Sequence, residues 1–427
     1  MTRMCVAVVA IGVNLATPAK AQEVSRGEDV TLAQAVALAL SREPSLRAVR
    51  ADVEMARGMS VQAGLRSNPI TSIERRQEPG GTDSATEIGI EWPLGLSRRG
   101  PLIAAAAAEV SVSEYEEADV RRQLVADVST AYGEAAAAAR ELSITDEVLA
   151  TISKQLELLR ARAQQGSVPT LDRDVVDVDV RRIQAERAVR SGRAERALIR
   201  LKRLLGMAPE ATLRITQSLE QLVTAGVTVG DMTANQPAAR PDVRAAEERV
   251  RAADERVGTA RSEGKPDVTI FGSYMRMDTG FPQQGFGVDG GLERVRAQFN
   301  YVTAGAMVSL PLWNRQQGAV AAASAARAAA VARAESARLT AAAELADARV
   351  RFAQARRAVS LYQDGVRPLA RRNFETVSET YSLGRATVFD VLSEQRRYLE
   401  TERGYTEALS EAFASWVGLQ RATGDQR

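Results

Sequence analysis

The sequence predicts a mainly helical protein with a small membrane-crossing β part, built twice from one plan. Three observations predict it. Long stretches rich in Ala, Glu and Arg carry a heptad seam. Two shorter segments alternate apolar and polar residues with period two. Both kinds of segment recur in the same order at fixed offsets. Pro44 and Pro69 match Pro241 and Pro266, 197 residues later, whereas Pro93, Gly166 and Asp172 match Pro311, Gly384 and Asp390, 218 residues later. The second half therefore holds 218 − 197 = 21 extra residues between Pro266 and Pro311. Repetition at this scale marks duplicated architecture.

Residues 1–21 read as a secretory signal peptide: one basic residue, a short apolar run, and the small-residue site Ala19-Lys20-Ala21. Cys5 leaves with it, and its position gives no lipid anchor. Cleavage removes Arg3 and Lys20 and takes the formal charge from +2 to 0. The remaining chain has neither Cys nor His, which excludes disulfides, the usual zinc sites and Ser-His-Asp or Cys-His catalysis. Its neutral, scattered charge argues against nucleic acid. No later segment has the apolar length of a transmembrane helix.

The first repeat spans 22–206. A helix is expected from about 31 to 64, stopped by Asn68-Pro69. A β-hairpin follows at about 69–93, where Thr86, Ile88, Ile90 and Trp92 alternate with Glu87, Gly89 and Glu91. From about Ser97 to Gln165 the chain reads as one helix with Leu142, Leu149, Leu156 and Ala163 in a seven-residue repeat and Ile152 and Leu159 between them. It would reach roughly 100 Å. A glycine turn at 166–172 returns it. Residues 207–238, richer in Pro, Gly and Thr, read as a linker or equatorial segment with little regular structure, folded against the helices or free of them. The second repeat, 239–427, copies the plan. Its hairpin lies at about 266–311, with Val302, Ala304, Ala306, Val308 and Leu310 alternating with Tyr301, Thr303, Gly305, Met307 and Ser309. A helix is expected from about 315 to 383, then a turn at 384–390, where Thr387 suits a cap and Asp390 the first turn of the next helix.

Strands of about ten residues suit a tilted crossing of an outer membrane, and Trp92 and Trp313 sit where interfacial aromatics belong. Four strands cannot close a barrel, and lipid tolerates no open edge. Three chains would supply twelve.

Residues 381–404, "YSLGRATVFDVLSEQRRYLETERG", resemble the signature of TolC-like outer-membrane factors at their second periplasmic helical turn. "QQGSVPTLDRDVVDVDV" (164–180) resembles the first-turn counterpart, and "TLAQAVALALSREPSLRAVRADVEMARG" (31–58) the opening helix. "LLGMAPEA" (204–211) looks most like the cation-efflux branch, the CzcC or CusC type. The resemblance implies a homotrimeric channel, a twelve-stranded outer-membrane β-barrel continued by a long periplasmic α-helical barrel. It implies a passive efflux duct that meets a periplasmic adaptor and an inner-membrane pump of RND type, with no cofactor. By the same resemblance Asp390 and Asp172 lie near the pore constriction, with Tyr381 and Arg385 in the gate. Gly166, Ser167, Val168, Gly384, Arg385 and Thr387 form the tip turns that dock the adaptor. This chain departs from the pattern: Ala386 and Ser393 stand where the family has Arg and a second Asp, and Ser167 and Leu171 where it has Leu and Thr.

Other features read more plainly. Asp172 and Asp179 share a helix face while Asp174 and Asp177 point away, so the acidic run does not converge on a metal. Asp174, Asp177 and Asp179 are read as solvated. "GFGVDG" (285–290) lacks the strand-to-helix setting of a nucleotide loop and is expected in a long external loop. Arg98, Arg99 and Arg315 suit solvated helix starts or headgroups equally. The function expected is an outer-membrane efflux channel, with heavy-metal cations, drugs or a secreted protein as cargo. A periplasmic coiled-coil adaptor is disfavoured because the strands lie between long helices. An enzyme is disfavoured for want of a nucleophile–base pair.

Overall fold

The computed structural model describes residues 28–79, 81–229 and 240–424. The signal-peptide reading, with Cys5, lies outside the described residues. The first half runs β1 (Glu28–Val30), α1 (Leu32–Arg42), α2 (Pro44–Gly64), β2 (Ile70–Gln77), β3 (Ser84–Pro93), α3 (Arg99–Gln164) and α4 (Thr170–Leu204). Then come β4 (Leu213–Ile215) and α5 (Leu219–Val229). The second half runs α6 (Pro241–Glu263), β5 (Asp267–Phe286), β6 (Leu292–Ser309), α7 (Gln317–Leu361), α8 (Arg367–Ser382) and α9 (Val388–Thr423).

Several elements differ from the sequence reading. The opening helix is two helices. Pro44 has no amide hydrogen and bars its predecessor from helical geometry, so Glu43 sits at φ −63°, ψ 122°. The second long helix is interrupted by a π-helical turn, Tyr362–Val366. Pro368 in the first turn of α8 cannot donate to the preceding turn, and Arg367 N–H reaches back five residues to Tyr362 O instead. The 207–238 segment is structured. β4 pairs in parallel with β1, and Leu213, Leu219, Leu222 and Val223 are buried. The rest of that segment, from 230, lies outside the described residues. "GFGVDG" is no long loop either. β5 and β6 extend to 20 and 18 residues, and a short turn closes them, with Gly290 N–H donating to Gly287 O and Gly287 N–H to Gly291 O. Most of the insertion thus lengthens strands.

The largest core joins α1, α2, α3, α4, α5, α7 and α9 with β1 and β4 at the middle of the long helices. Tyr132, Leu46, Leu201, Leu205, Leu219, Leu409 and Phe413 are among its fully buried side chains. Tyr132 donates its hydroxyl to Val30 O and accepts from Gln217 N–H, tying both short strands to α3. A second core lies towards the turns, where Val148, Ile152, Leu156 and Leu159 meet Val176, Val180, Ile183, Val388 and Leu392. The α3 seam is shifted from the sequence reading: Ile152, Leu156 and Leu159 are buried, but Leu149 only flanks the cluster and Val148 belongs to it.

Strands β2-β3-β5-β6 form one antiparallel sheet in that order. Among the described residues β2 and β6 are each paired on one side only, β2 with β3 and β6 with β5, and their outer edges are open.

Gly133 on α3 faces Phe413 on α9, and a Cβ there would collide with the ring. Gly133→Ala should lower stability by about 1–3 kcal/mol, as overpacking does. Gly192→Ala on α4, where a Cβ meets nothing within 4 Å, should be neutral or gain up to about 1 kcal/mol. Unfolding midpoints of the two variants in detergent check the contrast.

Candidate functional site

Two helical turns occupy the end of the molecule farthest along the chain from the sheet. They are the same motif. After α3, Gly166 takes φ +71°, Gly166 N–H donates to Ala163 O at 3.0 Å and Ser167 N–H to Arg162 O at 2.9 Å. After α8, Gly384 takes φ +73°, Gly384 N–H donates to Tyr381 O at 2.9 Å and Arg385 N–H to Thr380 O at 3.0 Å. Every partner is displaced by the 218 residues of the repeat. The left-handed backbone demands glycine, and packing does not, since a Cβ at either position meets nothing within 4 Å.

The helices that follow start differently. α4 begins after Pro169 with no side-chain cap. α9 begins with a reciprocal cap. Asp390 N–H donates to Thr387 Oγ1 at 3.3 Å, and the Asp390 carboxylate accepts from Thr387 N–H at 2.9 Å and from its hydroxyl at 2.6 Å. The hydroxyl bond first, and the amide bond second, hold the Asp390 carboxyl below its ordinary range. Asp390 is nevertheless exposed.

Tyr381 packs against the second core, as do Val168, Val175 and Leu149. Burial pushes its hydroxyl pKa up, the Asp172 carboxylate adds to that, and Arg162 opposes it. Tyr381, Asp172 and Val168 are thereby brought together and half-buried. Gly166, Ser167, Gly384, Arg385 and Thr387 are exposed on the rim. Among the described residues no carboxylate lies in ion-pair reach of Arg385, so it does not neutralise Asp390 within one chain.

The acidic run corrects the sequence reading at one position. Asp174 is exposed and pairs with Arg173. Asp177 lies between Arg181 at 3.0 Å and Arg160 at 2.8 Å, and the Arg181 hydrogen bond chiefly lowers its pKa. Asp179 is not solvated. It is 3% exposed, 2.9 Å from Arg182 and 3.5 Å from Arg396 of α9. It shares a face with Val176, Val180 and Ile183, so α4 carries it into the seam. The Arg three residues later was the available signal.

A second polar cluster sits at the middle of the helices. Glu402, 2% exposed, is held by Arg140 of α3 at 2.9 Å and Arg367 of α8 at 2.7 Å. Both guanidiniums lie about 5 Å from the centroid of the Tyr405 ring, one at 5.0 Å and one at 4.9 Å. Arg140 also reaches Glu220 of α5 and the Thr406 hydroxyl. Three helices, α3, α8 and α9, therefore meet on one carboxylate directly after the π-helical turn, and Arg140 ties α5 to the same cluster.

At the other end, the register sorts the sheet into two faces. Ile73, Ile88, Tyr274 and Val302 form one row, and Trp92, Ile270 and Ala306 another, on the same face. The opposite face is mixed: Glu74 and Glu87 share a row with Met275 and Tyr301, Ser72, Ser273 and Thr303 form the next, and Phe271, Phe299 and Met307 lie on the same side. Trp92 is half-buried and donates its indole N–H to Ser67 O at 2.9 Å. Trp313 is 87% exposed just past β6. Tyr274, at the outer end of the apolar rows, was missed by the sequence reading. Among the described residues no helix is long and apolar enough to cross a membrane.

The sequence profile of the outer membrane efflux proteins matches residues 35–207 and 236–425, one copy on each half. The chain belongs to this family. Its relatives include the outer membrane protein OprJ of Pseudomonas aeruginosa, 27% identical over 266 residues, which are 58% of this chain and 55% of OprJ. The nickel-cobalt-cadmium resistance protein NccC of Alcaligenes xylosoxydans xylosoxydans is 26% identical over 300 residues, 69% of this chain and 63% of NccC. The chain thus spans little more than half the length of the relatives it matches. A membrane protein of Pseudomonas aeruginosa has a solved structure with TM-score 0.74 and 25% identity, covering 92% of both chains. CusC, whose structures concern transmembrane channel formation, gives 0.73 at 18% identity over 93% of this chain and 92% of its own. The fold of this efflux-family chain is TolC-like.

The cap at α9 gives a pH test. A carboxyl held low in the folded state stabilises it above the ordinary aspartate value of 3.8. That contribution is lost as pH falls through the depressed value. Protection of the amides at residues 388–391, taken relative to the intrinsic exchange rate at each pH, should therefore fall on acidification, and in Thr387→Val at every pH. Exchange at the uncapped start of α4 should change less. Equal behaviour of the two starts would contradict the capping role.

Proposed function

We propose that three copies of this chain form a passive outer-membrane duct that receives cargo from a periplasmic adaptor and an inner-membrane pump of RND type. One observation carries the reading: a four-stranded sheet with an apolar face and two free edges is joined to two helical hairpins, the longer helix roughly 100 Å long. Free edges are not tolerated in lipid, and closing them needs other strands. Three copies supply twelve strands, β6 of each pairing with β2 of the next. α8 supports this, because none of its residues is buried within one chain while Leu369, and Leu383 just past its end, are exposed. Trp92 and Trp313 then lie at the inner membrane–water boundary of the barrel.

The six tip turns of such an assembly present Gly166, Ser167, Val168, Gly384, Arg385 and Thr387 to the adaptor. Asp390 and Asp172 ring the constriction, and Tyr381 packs the two turns together. The duct performs no covalent chemistry, and its walls need little affinity for cargo. NccC, named for nickel, cobalt and cadmium resistance, favours cations as cargo. The toluene efflux pump protein TtgF of Pseudomonas putida keeps solvent cargo open.

Native mass measurement in mild detergent should give three chains per particle, and planar bilayers should show discrete conductance. A monomer that inserts stably would defeat the closure argument. Cation preference, read as reversal potential under a salt gradient, should fall in Asp390→Ala and further in Asp390→Ala with Asp172→Ala. Unchanged selectivity in the double variant would leave Asp390 as a helix cap alone.

A further inference from the structure

The sheet sorts charge as well as apolarity between its faces. On the face that bears the apolar rows, the next row outward is Arg75, Thr86, Arg276 and Asn300. Tyr274 hydroxyl donates to Asn300 Oδ1 at 2.8 Å, which confirms that this row continues the apolar face. Arg296, opposite Gly280, lies on the same face four residues farther along β6. The other face holds Glu74, Glu87 and Glu91 with Arg76. Arg76 is paired there with Glu74 at 3.1 Å. Arg294 follows Arg296 on this side of β6 at the tip of the hairpin; of Arg75, Arg276 and Arg296, only Arg276 has a carboxylate in reach, Asp278 at 3.6 Å. Among the described residues Arg75 and Arg296 have none. All three are exposed.

The level of this row is set by the strands. The helices join the sheet where β2 begins and β6 ends, so the row lies at the opposite, external end. From Leu310 to Val302 the apolar residues of β6 cover about 27 Å along the strand, or roughly 20 Å once tilted. The arginine row begins one pleat, about 7 Å of strand, beyond them. That is headgroup depth on the external side. Arginine presents a planar fork suited to phosphate oxygens, and it is weakly hydrated enough to work at a lipid boundary.

We propose that Arg75, Arg276 and Arg296 form a belt that binds the phosphates of the anionic glycolipid in the outer leaflet, lipid A. The proposal rests on the outer-membrane reading of the sheet. Closing the barrel sets β2 of one copy beside β6 of the next, so Arg75 and Arg296 of adjacent copies face the same lipids. Three guanidiniums per chain are opposed by one carboxylate, and lipid A carries the complementary charge.

The test uses the full-length protein in mild detergent, with lipid A, phosphatidylcholine or inorganic phosphate added before native mass spectrometry. The parent should retain lipid A and release phosphatidylcholine. Millimolar inorganic phosphate should not displace the lipid. Arg75→Gln, Arg276→Gln and Arg296→Gln together should reduce lipid A retention by about tenfold or more, each guanidinium–phosphate pair contributing part. Arg76→Gln, on the other face, should retain it like the parent. Equal retention by the triple variant overturns the belt, as does full displacement by inorganic phosphate, which would mark a general anion site. Planar-bilayer conductance separates the two readings. A conducting triple variant with unaltered lipid binding sinks the belt alone, and a parent that never conducts sinks the duct and the belt together.

Discussion

A peptide N–H or C=O in hydrocarbon has no partner but another peptide group. That constraint reaches every part of this molecule. The sheet β2-β3-β5-β6 satisfies its inner strands and leaves two edges, so the smallest functional unit under the duct reading is larger than one chain. The same need explains the distribution of apolar side chains. Ile73, Ile88, Ile270, Val302 and Val308 are all exposed in the single chain, an arrangement that water penalises and lipid rewards.

The helical part obeys a different rule. Its cores are small and separate, one at the middle of the helices and one near the turns. Between them stands Glu402, gripped by Arg140 and Arg367. A buried carboxylate with two arginine partners adds little net stability, but removing either partner leaves charge stranded. Its value is positional: it fixes where α8 lies against α3, α5 and α9, directly after the π-helical turn breaks the straight run of α7. Asp179 does the same nearer the turns, joining α4 to Arg396 of α9. The repeat is therefore not symmetric in its polar ties, although its two turns match bond for bond.

The turns combine sameness and difference in a way that bears on function. Both need a left-handed glycine to close the helix. Only the second has the Thr387–Asp390 cap, and only the first has Asp172 drawn towards Tyr381. Asp390 is at once a helix cap and an exposed charge. The two roles draw on the same carboxylate, whose ionised form the cap favours.

Local chemistry was legible in the sequence. Proline and glycine positions, the 197- and 218-residue offsets, the period-two strands and the Thr-x-x-Asp cap each act within a few residues, so one chain read in order reveals them. What depended on distant partners was not. The break before Pro44 was visible in principle, but the burial of 213–223 depended on β1 offering β4 an edge from more than 180 residues away. The π-helical turn follows from Pro368 only once α8 is known to continue against α9. Asp179 looked like its exposed neighbours, and became a buried tie because Arg396 arrived from the other half of the chain. The insertion in the second hairpin read as a loop because glycines were counted, whereas pairing between β5 and β6 held it as strand. Periodicity and backbone chemistry determined the elements and their duplication. Tertiary structure decided which charges are buried and which side chains share a face of the sheet, because burial and register exist only between segments.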